Sequence, residues 1–494
     1  MNQENTPLWN QLQKHASHQP LSFHVPGHKN GYLAGGEGAD YFKHILKLDA
    51  TELSGLDDLH SPEGVILEAQ ELLAGLHGVS KSFFLVNGST AGNLAMVLSA
   101  AEEKETVLVQ RNCHKSILNG ITLAKAKPVF LAPEFNEEWG VAGGVALETV
   151  KEAIRQYPDA KAIILTYPNY YGMVYDLENI IQCAHDHGIP VLVDEAHGAH
   201  LIGGSHFPAS AVQLQADLTV QSAHKTLPAM TMGAYLHYNS RFIKEEKVSN
   251  YLGILQSSSP SYPIMASLDL ARAYLASFSK KDEEALLKKI GRFRKDLNRV
   301  KGIKVLPFQY HKGDPLKVTI QSETSLSGFD LQTLLEKHGI FTEMADPYNV
   351  LFVLPLLKND MDYPFDRVIE CLNEELTSFG PEDRQERITF SKKSVSGLAL
   401  EQKEQSQHTI KTVALEEAAG EICAQQVTPY PPGIPLLYPG EIIEGEDIAN
   451  ITLQIQAGAR FQNGDNIKAG SINVYRSLTG SETHTSKPGG IKGE

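Results

Sequence analysis

Lys225 lies in the string Ser222-Ala223-His224-Lys225-Thr226-Leu227-Pro228, which follows the β-type run Ala216–Gln221 and leads on to Gly233. Most lysines of a chain need only solvate its surface. This one is flanked by Ser, His and Thr, with Pro and Gly close behind where the backbone must turn. An amine in such a loop can act as a nucleophile and carry an aldehyde as a Schiff base; a buried structural lysine is the simpler reading. Upstream, Ile189-Pro190-Val191-Leu192-Val193 is the continuous apolar run of a buried parallel strand, and it ends in Asp194-Glu195-Ala196-His197. Open α/β sheets hold ligands at the carboxyl ends of their strands. Asp194 can therefore set a carboxylate beside whatever the amine carries, or merely cap the next turn.

Two further clusters precede these. Ser82–Val86 runs into Asn87-Gly88-Ser89-Thr90 and then the helix-like Leu94–Ala100. Strand, Gly-Ser-Thr turn and helix converge N–H groups and hydroxyls on an anion, although an N-cap at Ser89 or Thr90 accounts for the same residues. The glycine and lysine spacings of Walker and dinucleotide loops are absent. Thr106–Val109 leads into Arg111-Asn112-Cys113-His114-Lys115-Ser116, where His114 could stack on a flat ring. An anion turn, a stacking histidine, a carboxylate for a pyridine nitrogen and an amine, in that order, are the parts of a pyridoxal 5'-phosphate enzyme of fold type I. One shared cofactor explains all four.

The chain also resembles the Orn/Lys/Arg decarboxylases in their shorter bacterial form. The likeness is carried by His24–Gly31, Glu52–His60, Arg111–Ser116, Asp194–Gly198, Ser222–Lys225, Pro429–Pro435 and Pro439-Gly440-Glu441. It implies that Ser89, Thr90, Ser222 and His224 hold the cofactor phosphate, His114 stacks on the ring, Asp194 binds its nitrogen and Lys225 forms the Schiff base. His197, where the larger inducible enzymes carry Trp, joins the cofactor-binding set. Their N-terminal receiver-like domain has no counterpart ahead of His24. The implied reaction is decarboxylation of arginine, lysine or ornithine to CO2 and a polyamine or its precursor, with Lys225 or His224 returning a proton to Cα. A cationic substrate tip needs a buried carboxylate partner; Asp57, Asp58 and Glu441 are the acidic residues within the motifs. Each could equally stabilise a turn.

The elements follow from pattern. Residues 1–60, with a helix at Pro7–Ser17, read as an arm. Residues 61–310 alternate strands (Phe83–Val86, Thr106–Val109, Pro128–Leu131, Ala162–Thr166, Pro190–Asp194, Leu218–Gln221) with helices. That is an α/β, aminotransferase-like large domain on a mainly parallel sheet, closed by a helix over Asp282–Val300. A small α+β domain follows over 311–380, with strands at Leu316–Ser322 and Val350–Pro355 and helices at Asp330–His338 and Phe365–Thr377. Residues 381–476 form a C-terminal module that begins irregularly and carries a helix at Leu415–Ala424. Residues 477–494 have a disordered composition.

Composition bounds the partners. The 494 residues are 42% hydrophobic and 21% charged, ordinary for a soluble enzyme. A net charge of −15 argues against nucleic acid. No apolar run approaches the ~20 residues that span a bilayer, and no secretion signal opens the chain. Four scattered cysteines without a CxxC pair suit a reducing cytoplasm and no structural metal. Fold type I sites generally lie at dimer interfaces, so a homodimer or larger even-numbered assembly is expected. The rival readings are an aminotransferase or other lyase, and a non-catalytic paralogue. The first usually needs a small-domain arginine clamp, and Arg367, within a predicted helix, is the one arginine of 311–380.

Overall fold

A computed structural model describes residues 2–308, 312–380, 393–429 and 433–477. Seven strands of the large sheet are β1 (Lys81–Leu85), β2 (Thr106–Gln110), β3 (Lys127–Leu131), β4 (Ala162–Thr166), β5 (Val191–Asp194), β6 (Leu218–Gln221) and β7 (Ala234–Tyr238), and their order across the sheet is β1-β7-β6-β5-β4-β2-β3. Strands β3, β2, β4, β5 and β6 run parallel. Runs such as Ile163-Ile164-Leu165 and Val191-Leu192-Val193 are buried throughout, as a sheet with helices on both faces requires. The register sets Thr166 beside Asp194 and Asp194 beside Val220. The carboxyl ends of three neighbouring strands thus meet at one rim. The helix Gly88–Ala100 packs close beneath it: a Cβ on Gly92 would stand 2.6 Å from Leu85 Cδ1.

Strand β7 was not expected. It runs antiparallel to β1 and β6, and its sequence Ala-Tyr-Leu-His-Tyr mixes polar with apolar residues. Burial is possible because His237 is satisfied across the sheet, by Ser82 Oγ at 2.8 Å and Gln221 Oε1 at 3.0 Å. Those partners sit on other strands, so a local pattern does not show them.

The first helix, Pro7–Ser17, is packed rather than free. Leu8 and Leu12 are buried, and the N–H groups of Leu8 and Trp9 donate to Asp269 on the helix Tyr262–Ala276. A second helix, Ala39–Leu48, lies in the segment read as an arm, where the sequence pattern predicts one helix, Pro7–Ser17. The helix Lys280–Leu297 leads into a four-stranded antiparallel sheet of Ile303–Val305, Lys317–Ser322, Asn349–Val353 and Met344–Ala345, with helices Gly328–Lys337 and Asp366–Glu375.

Towards the C-terminus, Val395–Gly397 pairs with the edge strand β3, and His408–Ala414 forms a ribbon with Ser471–Ser477. The helix expected at Leu415–Ala424 is absent; a single 3-10 turn, Leu415–Glu417, stands there. Gly420 then turns at φ +85°, and the Cys423 N–H donates to Glu441 O at 2.8 Å, so this backbone pairs outward instead of coiling. The tail 478–494 and Tyr430-Pro431-Pro432 lie outside the described residues.

Candidate active site

Lys225 follows β6 on the short helix Ala223–Thr226, and its Nζ lies 3.0 Å from His197 Nε2 and 5.6 Å from the centre of the Tyr170 ring. Burial lowers its pKa, with the carboxylates of Asp194 and Glu343 pulling the other way. Asp194, buried at the end of β5, accepts from Asn93 Nδ2 at 2.9 Å and from the Ala196 N–H at 3.2 Å. Burial raises its pKa, opposed first by the Lys225 ammonium, so the carboxylate gains from a cationic neighbour. Glu195 next to it is wholly occupied: Ser210 Oγ, the Ala211 N–H and Gln221 Nε2 each donate at 2.6 Å. It buttresses β6 and does not face a ligand.

His114 begins the helix Lys115–Ala124 and binds Ser116 Oγ through Nδ1 at 2.8 Å. Ser116 Oγ in turn accepts from Asn93 Nδ2 at 2.9 Å, leaving its own proton for His114 Nδ1. The tautomer follows: Nδ1 accepts and Nε2 carries the hydrogen. Burial, then the charges of Lys225 and Lys115, push the ring to about 4, so it is a neutral plane near pH 7. Asn93 thereby ties the histidine and the carboxylate into one framework.

The residues expected to hold an anion open the helix that follows β1 and the loop that follows β6. The helix Gly88–Ala100 starts with Gly88 at φ +77°, whose N–H is taken by Met232 O, and places half-buried Ser89 and exposed Thr90 in its first turn. Ser222 Oγ and Asn93 Oδ1 are buried with no hydrogen-bond partner among the described residues. Unpaired buried polar atoms are costly, and a phosphorylated pyridine would supply what these groups lack. His224 differs from the expectation in one respect. Its Nδ1–H is committed to Gly233 O at 3.0 Å, which leaves Nε2 an acceptor unless the ring is protonated, and burial opposes that.

The three acidic residues singled out for a substrate tip have other occupations. Asp57 accepts from the N–H groups of Asp58, Glu63, Gly64, Ile66 and Leu67 and so caps the helix Val65–His77. Asp58 accepts from the His60 N–H at 2.8 Å. Glu441 grips Arg111 with both oxygens, at 2.9 and 2.6 Å, and accepts from the Tyr438 N–H. Arg111 also donates to the carbonyls of Pro435 and Leu436, and Lys115 reaches Gln462. The C-terminal module thus clasps the loop that carries His114. Arg111→Met would leave the Glu441 carboxylate buried and unpaired, a loss of roughly 3–5 kcal/mol. The denaturation midpoint should fall, and the double variant with Glu441→Met should recover most of it.

Two residues escaped the sequence reading. Lys317 opens the second strand of the small sheet, is fully buried, and its Nζ lies 2.7 Å from His197 Nδ1. Glu343 is exposed, acts electrostatically on Lys225, Lys317 and His224, and its carboxylate accepts no hydrogen bond among the described residues. A cavity of about 250 Å3 borders this neighbourhood at Tyr170 and extends along Arg111, Asn112, Thr166 and Asp346 rather than centring on Lys225. Arg367 is exposed on its helix and donates to the His338 carbonyl at 3.4 Å.

A mainly parallel sheet of this order, with an amine and a carboxylate at adjacent strand ends and a Gly-Ser-Thr turn opening the helix Gly88–Ala100, defines a pyridoxal phosphate-dependent enzyme of fold type I. The comparisons narrow the class. Residues 6–312 match the family described as Orn/Lys/Arg decarboxylase, major domain, and residues 392–462 match its C-terminal domain. The chain is 46% identical over 478 residues to the uncharacterized protein YaaO of Bacillus subtilis, covering 95% of this chain and 98% of that protein. It is 34% identical over 486 residues to an arginine decarboxylase of Bacillus subtilis, covering 96% and 99%. The crystal structure of the lysine decarboxylase LdcF of Francisella novicida superposes with a TM-score of 0.79 at 22% identity, covering 95% of this chain and 81% of that one. The chain belongs to the Orn/Lys/Arg decarboxylase family and is a pyridoxal phosphate-dependent decarboxylase of a basic amino acid.

Proposed function

We propose that the substrate is L-arginine, that the product is its amine, a polyamine precursor, and that Lys225 carries the cofactor. The observation that carries the site is Lys225 Nζ at the end of β6, beside the buried carboxylate of Asp194 and the unpaired Ser222 hydroxyl. Arginine is favoured by the relatives: those described as arginine decarboxylases are 32–34% identical, whereas a constitutive lysine decarboxylase of Escherichia coli is 25% identical.

When bound, pyridoxal phosphate supplies the electron sink for the bond that loses CO2. Asp194, held by Asn93 and the Ala196 N–H, keeps a proton on the ring nitrogen. His114 presents a neutral face for stacking, and its Nε2–H points away from Ser116. Ser89, Thr90 and Ser222 hold the phosphate through hydroxyls and helix N–H groups. Lys225, rather than His224, returns the proton to Cα, because the His224 Nδ1–H is spent on Gly233. His197 contacts Lys225 and orients it.

For the cationic end we propose Glu343, the acidic residue that already acts on Lys225; it is exposed in the single chain and would be covered once substrate or a second subunit closes the site. Incubation with L-arginine, L-lysine and L-ornithine, with CO2 measured and the amine identified, tests the reading. Arginine should be turned over fastest, and faster turnover of lysine or ornithine overturns it. Glu343→Gln should raise KM for arginine about tenfold or more while leaving cofactor absorbance unchanged.

We further propose a homodimer in the cytoplasm, joined through the segment after the first helix. Leu21, Phe23, Tyr32 and Tyr41 are 82–91% exposed there, a concentration of apolar surface that monomers rarely present. The four cysteines are free thiols, and no helix among the described residues is long and apolar enough to cross a membrane. Sedimentation should give a dimer or an even multiple; a fully active monomer at assay concentration contradicts it.

A further inference from the structure

Both ring nitrogens of His197 meet a lysine: Nε2 lies 3.0 Å from Lys225 Nζ and Nδ1 lies 2.7 Å from Lys317 Nζ. A neutral imidazole has one N–H and one lone pair. With both contacts made, one lysine is an ammonium donating to the ring, and the other is an amine accepting from it. A doubly protonated ring is excluded by burial and by the two lysines themselves, which hold the His197 pKa well below its ordinary value. The three groups therefore exchange protons as a unit.

Lys317 is built into its place. Its side chain packs on Gly172, which turns at φ +83° and where a Cβ would come within 2.6 Å of Lys317 Cγ. The charged groups acting on it are Asp314, Glu343 and Lys225; Asp314 is itself paired with His200 Nε2 at 2.9 Å. Burial pushes the Lys317 pKa to about 8, with the two carboxylates raising it and the Lys225 charge lowering it further. Lys317, buried behind the histidine and touching the site through it, is thus placed to exchange a proton near pH 8.

We propose that Lys317 is the proton store for Lys225: it takes up a proton when the Lys225 amine is consumed in bonding the cofactor, and returns it through His197 when that amine is set free. This rests on Lys225 being the cofactor lysine. On return, an N–H bond of the Lys317 ammonium breaks and its proton joins His197 Nδ1. The proton on Nε2 passes to the lone pair of Lys225 Nζ. Lys317 is left a neutral amine, Lys225 becomes an ammonium, and the ring has changed tautomer with no electron transferred. Lys225 is then charged with the proton that Cα needs. Decarboxylation consumes one proton per turnover, so between cycles the Nδ1 proton of His197 passes to the Lys317 amine as Nε2 takes a proton from water in the emptied site, which resets the tautomer. Lys317 acts through His197 and is a positioning residue.

Calorimetric titration of the apoprotein with pyridoxal phosphate near pH 8, in two buffers of different ionisation enthalpy, counts the protons exchanged. The unmodified chain should take up more than Lys317→Met, by up to about one proton per site. Lys317→Arg keeps the size and charge but cannot give up its proton, and it should match Lys317→Met. Uptake by either variant equal to that of the unmodified chain overturns the proposal. The unmodified chain also tests it alone: the uptake should shrink below about pH 7, where Lys317 is already protonated in both states, and a count unchanged from about pH 6 to about pH 9 overturns it. Borohydride mapping of the same samples separates the failures, since label away from Lys225 overturns the site assignment rather than the store.

Discussion

Replacing Lys225 by alanine should leave a protein that folds and still takes up pyridoxal phosphate, but without the visible absorbance of a lysine-bound cofactor and almost without turnover. Loss of a positioned general acid alone costs about 10²–10⁴ in rate, and loss of the covalent anchor adds to it. Lys225 sits among polar groups at the end of a rigid strand and, among the described residues, makes one side-chain hydrogen bond, to His197. Its removal therefore opens little core, and the denaturation midpoint should hardly move. Borohydride reduction of the unmodified protein, followed by peptide mapping, should place the pyridoxyl label on Lys225. A variant retaining more than about a tenth of the original rate would rule out these roles.

Asp194→Ala or Asp194→Asn should separate stability from turnover. Burial already penalises the Asp194 charge, so asparagine, which keeps a carbonyl oxygen to accept from Asn93 or the Ala196 N–H, relieves that cost and should melt no lower, whereas alanine takes the acceptor from both donors and should melt lower. Turnover should fall on the order of 10²–10³, the usual loss for one preorganised charge aimed at the reacting group. The asparagine variant keeps the shape, so its deficit reports charge rather than packing. Near-normal decarboxylation in both variants would refute the role given to Asp194.

How far the sequence disclosed this site depends on where each partner lies. The strands bearing Thr166, Asp194 and Gln221 were readable because strands buried on both faces leave unbroken apolar runs. Strand β7 was not, because His237 is satisfied by groups on other strands. The helix expected after Leu415 failed because Gly420 turns the chain and Cys423 pairs its backbone with Glu441. Lys317 went unnoticed for a similar reason: a single lysine at the start of a strand looks solvated, and the histidine that captures it is 120 residues away. Asp57 and Glu441 show the converse. Their motifs marked them as special, yet what they bind — a helix start, and an arginine 330 residues distant — is written elsewhere in the chain.

The clasp of the C-terminal module on the His114 loop also bears on how the protein is made. Every strand that carries Asp194 or Lys225 leaves the ribosome before Pro435, Leu436 and Glu441 exist to hold Arg111. On the roles proposed above, the nascent polypeptide would have the Lys225 segment complete early and the loop of His114 clasped only late. The final placing of that loop becomes a mark of completed synthesis. A chain cut short before the clasp would keep Lys225 and lose the partners that hold Arg111.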